Sequence, residues 1–515
     1  MMRRDPSVWL LLGLQFLLCF EWVHLDRSAE PKPNLRPIYW DVLSYYAYLP
    51  ALFIEGDLQL AFVEDPNRAD VQLHRHRYWP EITPDGHRVI KTTMGVALMI
   101  SPFFGVAHFL APVLGFEPDG FSRPYQAAVA LAGFVWGCLG LWVLRSWLRS
   151  FWGPWMVGLA LWVLVGATNL WNYLVYEPAM SHSFSFFWMS VLLWCTHQTM
   201  NGTKPSKRYE AGLALALGML VLIRPTLLIA GLLPLLYNGA SGLGWWWRRL
   251  THNAGHLFLL LFVFLGPFLL QSLYWKYVTG HFLFYSYQGE RFFWGDPRIA
   301  EFLLSYRKGW LLYNPVMVLV IVGWCWALAC MIQGWRKGTQ ASEPFPLAFG
   351  LGVVLPLVIY VYASWWSWWF GGSLGGRVLV EWYPALVPAG LGVVHRLMGW
   401  IHRPLLSDYR ALDALRRWAF GIALLFFLGY TIALQYHQSW QYRIALLHWD
   451  ATSKDWYRAV WWQSSFPVGL DAMAVPPNGD LARSGQGRRA EVWKPNCLGF
   501  GSAEPKGVRG PGYTE

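Results

Sequence analysis

Long apolar runs recur along most of this sequence, and they restrict the folds open to it more than any other feature. A helix needs about 20 consecutive apolar residues to cross the hydrocarbon of a lipid bilayer, and the chain has many runs near that length. Charged residues make up only 14% of its 515 residues, against about 25% in a soluble protein. We therefore predict an all-α polytopic membrane protein.

Tryptophan and basic residues are placed as a membrane protein would place them. The 35 Trp residues cluster at the ends of the apolar runs, where the membrane interface favours them. The formal charge of +11 comes mainly from Lys and Arg in short loops, which is typical of cytoplasmic loops. No basic stripe indicates nucleic-acid binding, so the expected partner of the chain is the lipid bilayer.

The apolar runs predict about eleven transmembrane helices. The first run, Val8–Leu25, could be a cleaved signal peptide, but its length and Glu21 favour a retained helix with a cytoplasmic N-terminus. The run Thr92–Gly115 is interrupted by glycines and prolines, and treating it as re-entrant or interfacial makes every short basic loop cytoplasmic. The later helices are predicted at 125–144, 154–172, 181–199, a compressed pair across 210–238 that turns at Arg224, 254–275, 310–332, 345–363, 379–397 and 418–436.

This topology divides the chain into a membrane domain and a tail. Residues 1–436 form the transmembrane domain, and its first outer loop, 26–124, is large enough to hold interfacial helices. Residues 437–515 form a Gly- and Pro-rich extracytoplasmic tail whose basic end, Ser484–Arg489, is predicted to be disordered. We expect the protein in the inner (plasma) membrane of a bacterial cell.

Ionisable residues near the predicted outer ends of the helices are the first candidates for function. Such residues cost about 2.5–3.5 kcal/mol each at membrane depth, and they tend to mark functional sites. Core packing would scatter them between both faces of the membrane, whereas these share one side. They are Asp41, Lys91, Arg123, Glu177, His182, Arg224, Glu290, Arg291 and Arg377.

The segment from Tyr39 to Phe53 predicts a helix that lies in the interface with its apolar side down. Asp41, Tyr45 and Tyr48 share one stripe of this helix, and apolar side chains share another. The carboxylate lies near the helix N-terminus, so Asp41 could also be an ordinary N-cap.

Three other candidates also have a structural explanation. Lys91 could extend its amine to the membrane boundary without binding a ligand. Glu177, ahead of Pro178, could stabilise the N-terminus of the following helix. His182 could be a packed histidine. At the level of sequence these alternatives stay open.

Residues 365–384, WWSWWFGGSLGGRVLVEWYP, form the most unusual segment. Its aromatic residues suit a membrane interface, and its glycines let the backbone approach a ligand closely. Arg377 then offers a planar fork of N–H donors that fits a phosphate. An aromatic belt explains the tryptophans but not the paired glycines that precede Arg377.

Together these segments resemble the GT-C superfamily of membrane glycosyltransferases, particularly the branch of protein O-mannosyltransferases and lipid A aminoarabinose transferases. The segment at 365–377 also resembles uncharacterised bacterial membrane proteins of that superfamily. The resemblance covers roughly residues 8–436 and leaves the tail unmatched. After the first helix and its large outer loop, the matching parts are Asp41 with Tyr45, Lys91 with Gly95, Arg123 at a helix start, and Glu177-Pro178.

Two departures from the superfamily pattern concern the donor. Asp41 is followed by Val42 where members usually carry an acidic pair, and a Lys-Pro-Pro-like motif reads Lys91-Thr-Thr. These differences affect the identity of the donor more than the fold.

The resemblance implies an enzyme that moves a sugar from a polyprenyl-phosphate donor to an acceptor hydroxyl on a glycan, lipid or protein. Asp41 is then the expected general base. The side chains expected to bind the donor phosphate are Lys91, Arg224, Arg377 and Arg123. Those expected to orient the acceptor are Tyr45, Glu177, His182 and Glu290. Fixed cations can replace a metal at the phosphate, so neither a cofactor nor a divalent metal is expected.

Other functions remain open at this level. A transporter or flippase for a lipid-linked sugar would share the outer cations, but it would also place polar residues through the midplane and often show inverted repeats. An O-antigen-type polymerase or ligase would carry its large outer loop late in the chain. A membrane scaffold gives no reason for the ionisable residues to share one side.

Overall fold

Helices make up almost all of the regular structure in the computed structural model, which describes residues 5–24, 37–64, 80–201, 206–337, 345–402 and 410–489. Within these ranges two short strands, β1 (Pro80–Ile82) and β2 (Arg88–Ile90), pair antiparallel. The predicted all-α membrane fold is therefore confirmed. Two parts of the predicted first outer loop, 25–36 and 65–79, and the end of the tail, 490–515, lie outside the described residues.

The helices are numbered in chain order. Those of the first half are α1 (Pro6–His24), α2 (Asp41–Tyr46), α3 (Tyr48–Phe53), α4 (Gly95–Val113), α5 (Arg123–Leu148), α6 (Pro154–Gly166), α7 (Leu170–Val175), α8 (Ser181–Asn201) and α9 (Lys207–Ile223). Those of the second half are α10 (Leu232–Leu235), α11 (Ala240–Thr251), α12 (Ala254–Thr279), α13 (Ile299–Leu304), α14 (Trp310–Tyr313), α15 (Val318–Arg336), α16 (Ala348–Ser364), α17 (Tyr383–His402), α18 (Arg410–Arg443), α19 (Lys454–Ala459) and α20 (Gly479–Arg483). Short 3-10 helices lie at Ala61–Glu64, Pro225–Gly231, Pro315–Met317, Arg377–Trp382 and Leu470–Met473.

Seven segments of the described chain are long and apolar enough to cross a membrane, so the protein is a multi-pass membrane protein. The predicted number of about eleven crossings stays a prediction. Shorter apolar helical segments occupy Pro154–Gly166, Pro225–Leu235 and Ala348–Ser364. The seven segments are Pro6–His24, Gly95–Val113, Arg123–Leu148, Ala254–Thr279, Pro315–Gly334, Arg377–Ile401 and Leu412–Arg443.

Two predicted helices have different boundaries in the structure. The predicted helix 154–172 ends at Gly166, and the short α7 follows as a separate element. The compressed pair predicted across 210–238 is the single helix α9, followed by a 3-10 helix and the four residues of α10. Pro225 begins that 3-10 helix, because proline has no N–H to continue the hydrogen bonding of α9.

The segment predicted to be re-entrant or interfacial is one continuous helix, α4, in spite of its glycines and prolines. It runs antiparallel to α5: His108 Nδ1 lies 2.6 Å from the hydroxyl of Tyr125, and Trp136 Nε1 donates to the carbonyl oxygen of Met99 at 3.1 Å. The start of α4 contacts Ile223 at the end of α9. α4 therefore accompanies the N-terminal part of α5 and stops short of its C-terminal end.

The C-terminal end of α5 is tied to the start of the chain by ion pairs. There Arg145 Nη2 lies 2.7 Å and Arg149 Nε 3.2 Å from Asp5 Oδ2, just ahead of α1. α1 then runs antiparallel to α5, and Trp22 near its end stacks on Phe134 with ring centroids 5.5 Å apart.

The helix predicted at residues 39–53 is two short helices, α2 and α3, and it does not lie with one apolar side down. Tyr46 is fully buried, and Tyr45 and Tyr48 on the other stripe are buried as well. Tyr46 packs edge-on against Phe104 of α4, and Tyr48 against Tyr274 of α12. Protein covers most of both stripes because α2 and α3 lie between these two longer helices, and Phe53 at the end of α3 is 61% exposed.

The predicted disorder of Ser484–Arg489 is wrong. Arg488 is only 1% exposed, and its guanidinium donates hydrogen bonds to backbone carbonyl oxygens of Ala363 and Trp365. The basic residues at this point of the tail looked like a solvated loop, but one of them is an internal hydrogen-bond donor.

Candidate active site

A cavity of about 600 Å³ lies next to the starts of α2 and α4 and the end of α9. Segments distant in the sequence form its wall, among them α2, the turn after α9 and the Gly-rich segment that precedes α17. Its aromatic lining consists of Tyr45, Tyr285, Tyr287, Phe292, Tyr362, Trp365, Trp366 and Phe370. Its charged lining consists of Asp41, Glu81, Lys91, Arg224, Glu290, Arg377 and Arg483.

Asp41 and Arg377 meet in this cavity. Arg377 Nη2 donates to Asp41 Oδ2 at 2.7 Å, although the two residues are 336 positions apart. The N-cap position of α2 is occupied by Trp40, so the alternative that Asp41 is an N-cap does not describe the structure. About a third of the Asp41 side chain is exposed, against 10% for Arg377. A half-buried carboxylate is thus paired with a buried cation at a surface that a ligand can reach.

The Gly-rich segment, residues 371–376, holds Arg377 by packing closely on α14. Gly375 has a positive φ of 62°, and a Cβ there would lie 2.9 Å from the Cβ of Tyr313, so no other residue suits this position. Arg377 Nη1 also donates to the carbonyl oxygen of Gly372 at 3.3 Å. The guanidinium is therefore oriented by its own loop before any ligand binds.

Glu381 is a buried carboxylate beside the cavity, and the sequence interpretation missed it. It is fully buried and accepts a hydrogen bond from His182 Nδ1 at 2.8 Å. Its other oxygen lies 3.4 Å from Arg224 Nη1, and Arg224 Nη2 donates to the hydroxyl of Ser181 at 3.2 Å. The hydroxyl of Tyr45 lies 3.4 Å from the same Ser181 oxygen.

Glu381 could have been found from the sequence. It is an ionisable residue inside the predicted helix 379–397, and it follows Arg377 by one helical turn. It also lies near the start of that predicted helix, which is the signal that singled out the other site residues. His182, for which a packed histidine was the ordinary explanation, is in fact buried in an ionic cluster beside the cavity.

Lys91 lies in the cavity wall but is already paired with two carboxylates. Its amine is 2.6 Å from Glu290 Oε1 and 3.2 Å from Glu81 Oε1, and it lies 5.4 Å from the ring centroid of Tyr287. Burial alone would lower the pKa of Lys91, but the attraction of Glu290 and Glu81 raises it above its usual value. Glu290, expected to orient an acceptor, is thus the main partner of Lys91.

Three predicted site residues do not line the cavity, and the buried His182 is one of them. Arg123 is exposed in the first turn of α5. Glu177 is half-buried and accepts hydrogen bonds from Asn172 and from Tyr442, at 3.0 and 3.3 Å. Sequence order alone placed Arg123 and Glu177 near the site, since each lies at a helix end on the predicted outer side.

A cation that no motif indicated, Arg483, lines the cavity from the C-terminal tail. Its guanidinium carbon lies 4.9 Å from the ring centroid of Trp366. The resemblance stopped at residue 436, so the sequence interpretation had no reason to look for site residues in α20.

The described residues contain no group of three or more His, Cys, Asp or Glu side chains that could hold a metal ion. The expectation that the reaction needs no divalent metal stays a prediction.

No protein-family model and no curated protein sequence matches the chain. Among solved structures, ArnT from Cupriavidus metallidurans bound to undecaprenyl phosphate is similar over 86% of this chain and 77% of its own, with 15% identity and a TM-score of 0.44. The apo oligosaccharyltransferase of Archaeoglobus fulgidus is similar over 96% of this chain and 62% of its own, with 11% identity and a TM-score of 0.49. For AglB of the same archaeon, in complex with an inhibitory peptide and a dolichol-phosphate, the coverage is the same, with 10% identity and a TM-score of 0.47.

The chain spans 62% of the length of the archaeal enzymes. At these identities and TM-scores the likeness assigns no residue role, donor or acceptor to this chain.

Proposed function

We propose that this chain is an integral membrane glycosyltransferase that moves a sugar from a polyprenyl-phosphate donor to an acceptor hydroxyl. The observation that carries the proposal is the Asp41–Arg377 pair, 2.7 Å long, in an aromatic-lined cavity of about 600 Å³. Such a transfer needs a base for the acceptor proton and positive charge for the leaving phosphate. A carboxylate beside fixed guanidinium groups supplies both.

In the proposed reaction, Asp41 removes the proton of the acceptor hydroxyl as its oxygen attacks the anomeric carbon of the sugar. The bond between that carbon and the phosphate oxygen breaks, and its electron pair stays on the polyprenyl phosphate. Arg377 and Arg224 lie at the cavity where they stabilise the charge that develops on the phosphate, without a reorganisation of the site. Lys91 is neutralised by Glu290 and Glu81, so the positive charge at the phosphate comes from the two arginines.

We further propose that the cavity faces the extracytoplasmic side of a bacterial plasma membrane. Arg145 and Arg149 lie at the C-terminal end of α5, where they pair with Asp5, and basic residues at helix ends favour the cytoplasmic side. The N-terminus would then be cytoplasmic and the tail extracytoplasmic. A lipid-linked donor reaches such a site from the outer leaflet.

Substitution of Asp41 by Asn tests the proposal. The amide keeps the shape of the side chain but cannot accept the acceptor proton, so sugar transfer is expected to fall by about 10²–10⁴-fold. Protein reconstituted in liposomes would be supplied with a panel of radiolabelled polyprenyl-phosphate sugars, and transfer of label to an added glycan, lipid or peptide acceptor would be measured.

Asp85→Asn is the matched control, since Asp85 is exposed in the turn between β1 and β2 and does not line the cavity. Near wild-type transfer by a correctly inserted Asp41→Asn protein would remove Asp41 from the role of base. If labelled lipid-linked sugar changed leaflet without transfer in the wild type, transport would replace transfer as the function.

A further inference from the structure

The end of the described tail, residues 479–489, forms an ordered segment that we name the C-terminal strap. Arg488 ties it down, since this side chain donates to the carbonyl oxygens of Asp296, Ala363 and Trp365 at 2.8, 3.1 and 3.0 Å. In return, Trp368 Nε1 donates to the carbonyl oxygen of Arg488 at 2.7 Å. A buried guanidinium is costly unless its N–H groups are paired. Here the loop before α13, the end of α16 and the residue after it supply the carbonyl oxygens that pair them.

Close backbone packing fixes the strap between its anchor and α20. Gly485 has a positive φ of 94°, and a Cβ at this position would lie 2.6 Å from a ring carbon of Phe293. Phe293 also lies under the guanidinium of Arg488, 4.6 Å from its carbon. The strap therefore packs against the rest of the fold, and its path determines where the side chains of α20 lie.

α20 presents Arg483 to the cavity, and this cation is less committed to protein partners than the others there. Within the described part of the chain, its ion pair is with Asp480 at 3.5 Å, and 48% and 97% of the two side chains are exposed. Exposed pairs of this kind contribute little. By contrast, the partners of Arg224 and Lys91 are the buried carboxylates of Glu381 and Glu290.

A second donor beside Arg483 has no acceptor among the described residues. Trp366 lines the cavity, and its Nε1 is buried without a hydrogen-bond partner. The guanidinium of Arg483 lies over the ring of the same tryptophan. A buried N–H without an acceptor is uncommon and costs about 1–3 kcal/mol. This corner therefore offers the N–H of Trp366 and a guanidinium whose ion pair, to the exposed Asp480, is weak.

We propose that the C-terminal strap completes the substrate site and that Arg483 binds an anionic group of the substrate, with Trp366 as a second donor. This inference rests on the proposed function. The anion is a phosphate or carboxylate, because both accept hydrogen bonds from a guanidinium fork. It belongs either to the lipid-linked donor or to the acceptor, and the experiment distinguishes the two sources.

The test compares Arg483→Gln with wild type and with Arg489→Gln, which removes the same charge from an exposed position on the same strap. The full-length proteins are placed in nanodiscs of zwitterionic lipid. The first arm measures the Kd of radiolabelled polyprenyl phosphate and of the neutral polyprenol of equal length. The second arm measures the Kd of radiolabelled glycerol phosphate, as a probe of an anionic acceptor, with and without saturating polyprenyl phosphate.

Loss of a charged hydrogen bond is expected to weaken binding of the anion by about tenfold or more. Weaker binding of polyprenyl phosphate by Arg483→Gln, with polyprenol unchanged, supports the proposal and identifies the donor. Weaker binding of glycerol phosphate alone supports it and identifies the acceptor. Arg489→Gln is expected to match wild type in both arms.

Equal binding by wild type and Arg483→Gln in both arms would overturn the role of the strap. So would an equal loss for polyprenol, or an equal loss in Arg489→Gln, since either would show an effect without specificity for the anion or the position. A wild-type protein that binds no polyprenyl phosphate would instead contradict the proposed function, which keeps the two failures apart.

Discussion

At the scale of single residues, the candidate site depends on how each charge is paired. Arg377 is paired with Asp41 at the cavity surface, whereas Arg224 is paired with Glu381 below it. Arg377 can exchange Asp41 for a ligand, because Asp41 is partly exposed. Arg224 is held by the protein, because Glu381 is fully buried. The two arginines therefore differ in how freely they can respond to a bound phosphate.

Glu381→Ala is expected to destabilise the protein by about 3–5 kcal/mol, the usual cost of removing one partner from a buried ion pair. The substitution leaves Arg224 without its carboxylate and removes the acceptor of His182 Nδ1. Denaturant titration of the protein in detergent measures the change in the free energy of unfolding.

Glu117→Ala is the matched control for this prediction, because Glu117 is exposed in the turn before α5. Stability equal to that of the control variant would mean that the Glu381 cluster contributes nothing to the folded state.

At the scale of helices, three glycines on one face of α5 let α8 approach closely. Gly133, Gly137 and Gly140 recur at spacings of four and three residues, so they form one stripe. A Cβ on Gly133 would lie 1.7 Å from the carbonyl oxygen of Pro178, and one on Gly140 2.7 Å from a ring carbon of Phe186. Small residues of this kind permit tight helix packing in membranes. The close approach sets the position of His182 and Ser181 at the start of α8.

Gly133→Ala is expected to destabilise the protein by about 1–3 kcal/mol, because a methyl group there forces α5 away from a backbone atom that cannot rotate aside. The rate of sugar transfer is expected to fall as well, since Ser181 and His182 move with α8. Thermal unfolding in detergent measures the first effect and the reconstituted transfer assay the second.

Gly105→Ala in α4 is the control, because a Cβ there meets nothing within 4 Å. An alanine in this helix interior is expected to be neutral or to stabilise by about 0.5–1 kcal/mol. A Gly133→Ala protein as stable as Gly105→Ala would show that the stripe is not tightly packed.

At the scale of the whole molecule, function depends on which end of the bundle faces out. The β-hairpin next to Lys91 contributes Pro80 and Glu81 to the cavity wall, and Ser150 follows Arg149 at the C-terminal end of α5. These two positions should be accessible from opposite sides of the membrane if the chain crosses it as proposed.

Single cysteines at Asp85 and Ser150, in a protein whose six native cysteines are replaced, test this orientation. A membrane-impermeant thiol reagent added to intact spheroplasts is expected to label Asp85→Cys. It is expected to label Ser150→Cys only after permeabilisation. Labelling of both positions from outside would contradict the predicted topology, and the reverse pattern would place the cavity in the cytoplasm.

The class of the protein and several site residues were predictable from the sequence. An apolar run of sufficient length becomes a membrane helix whatever its neighbours are, because a helix satisfies its backbone hydrogen bonds within itself. The run of glycines before Arg377 and the stripe of Asp41 and Tyr45 are likewise local patterns. These are the parts of the interpretation that led to residues lining the cavity.

Only the tertiary structure decided which charges meet. It brought Asp41 to Arg377, left Arg123 and Glu177 outside the cavity, and supplied Glu381 and Arg483. Such pairings join segments hundreds of residues apart, and they follow from helix packing and from the burial of charge, which no local window of sequence contains. The strap shows the same principle, since a basic, loop-like sequence is ordered only because distant carbonyl oxygens receive the Arg488 guanidinium.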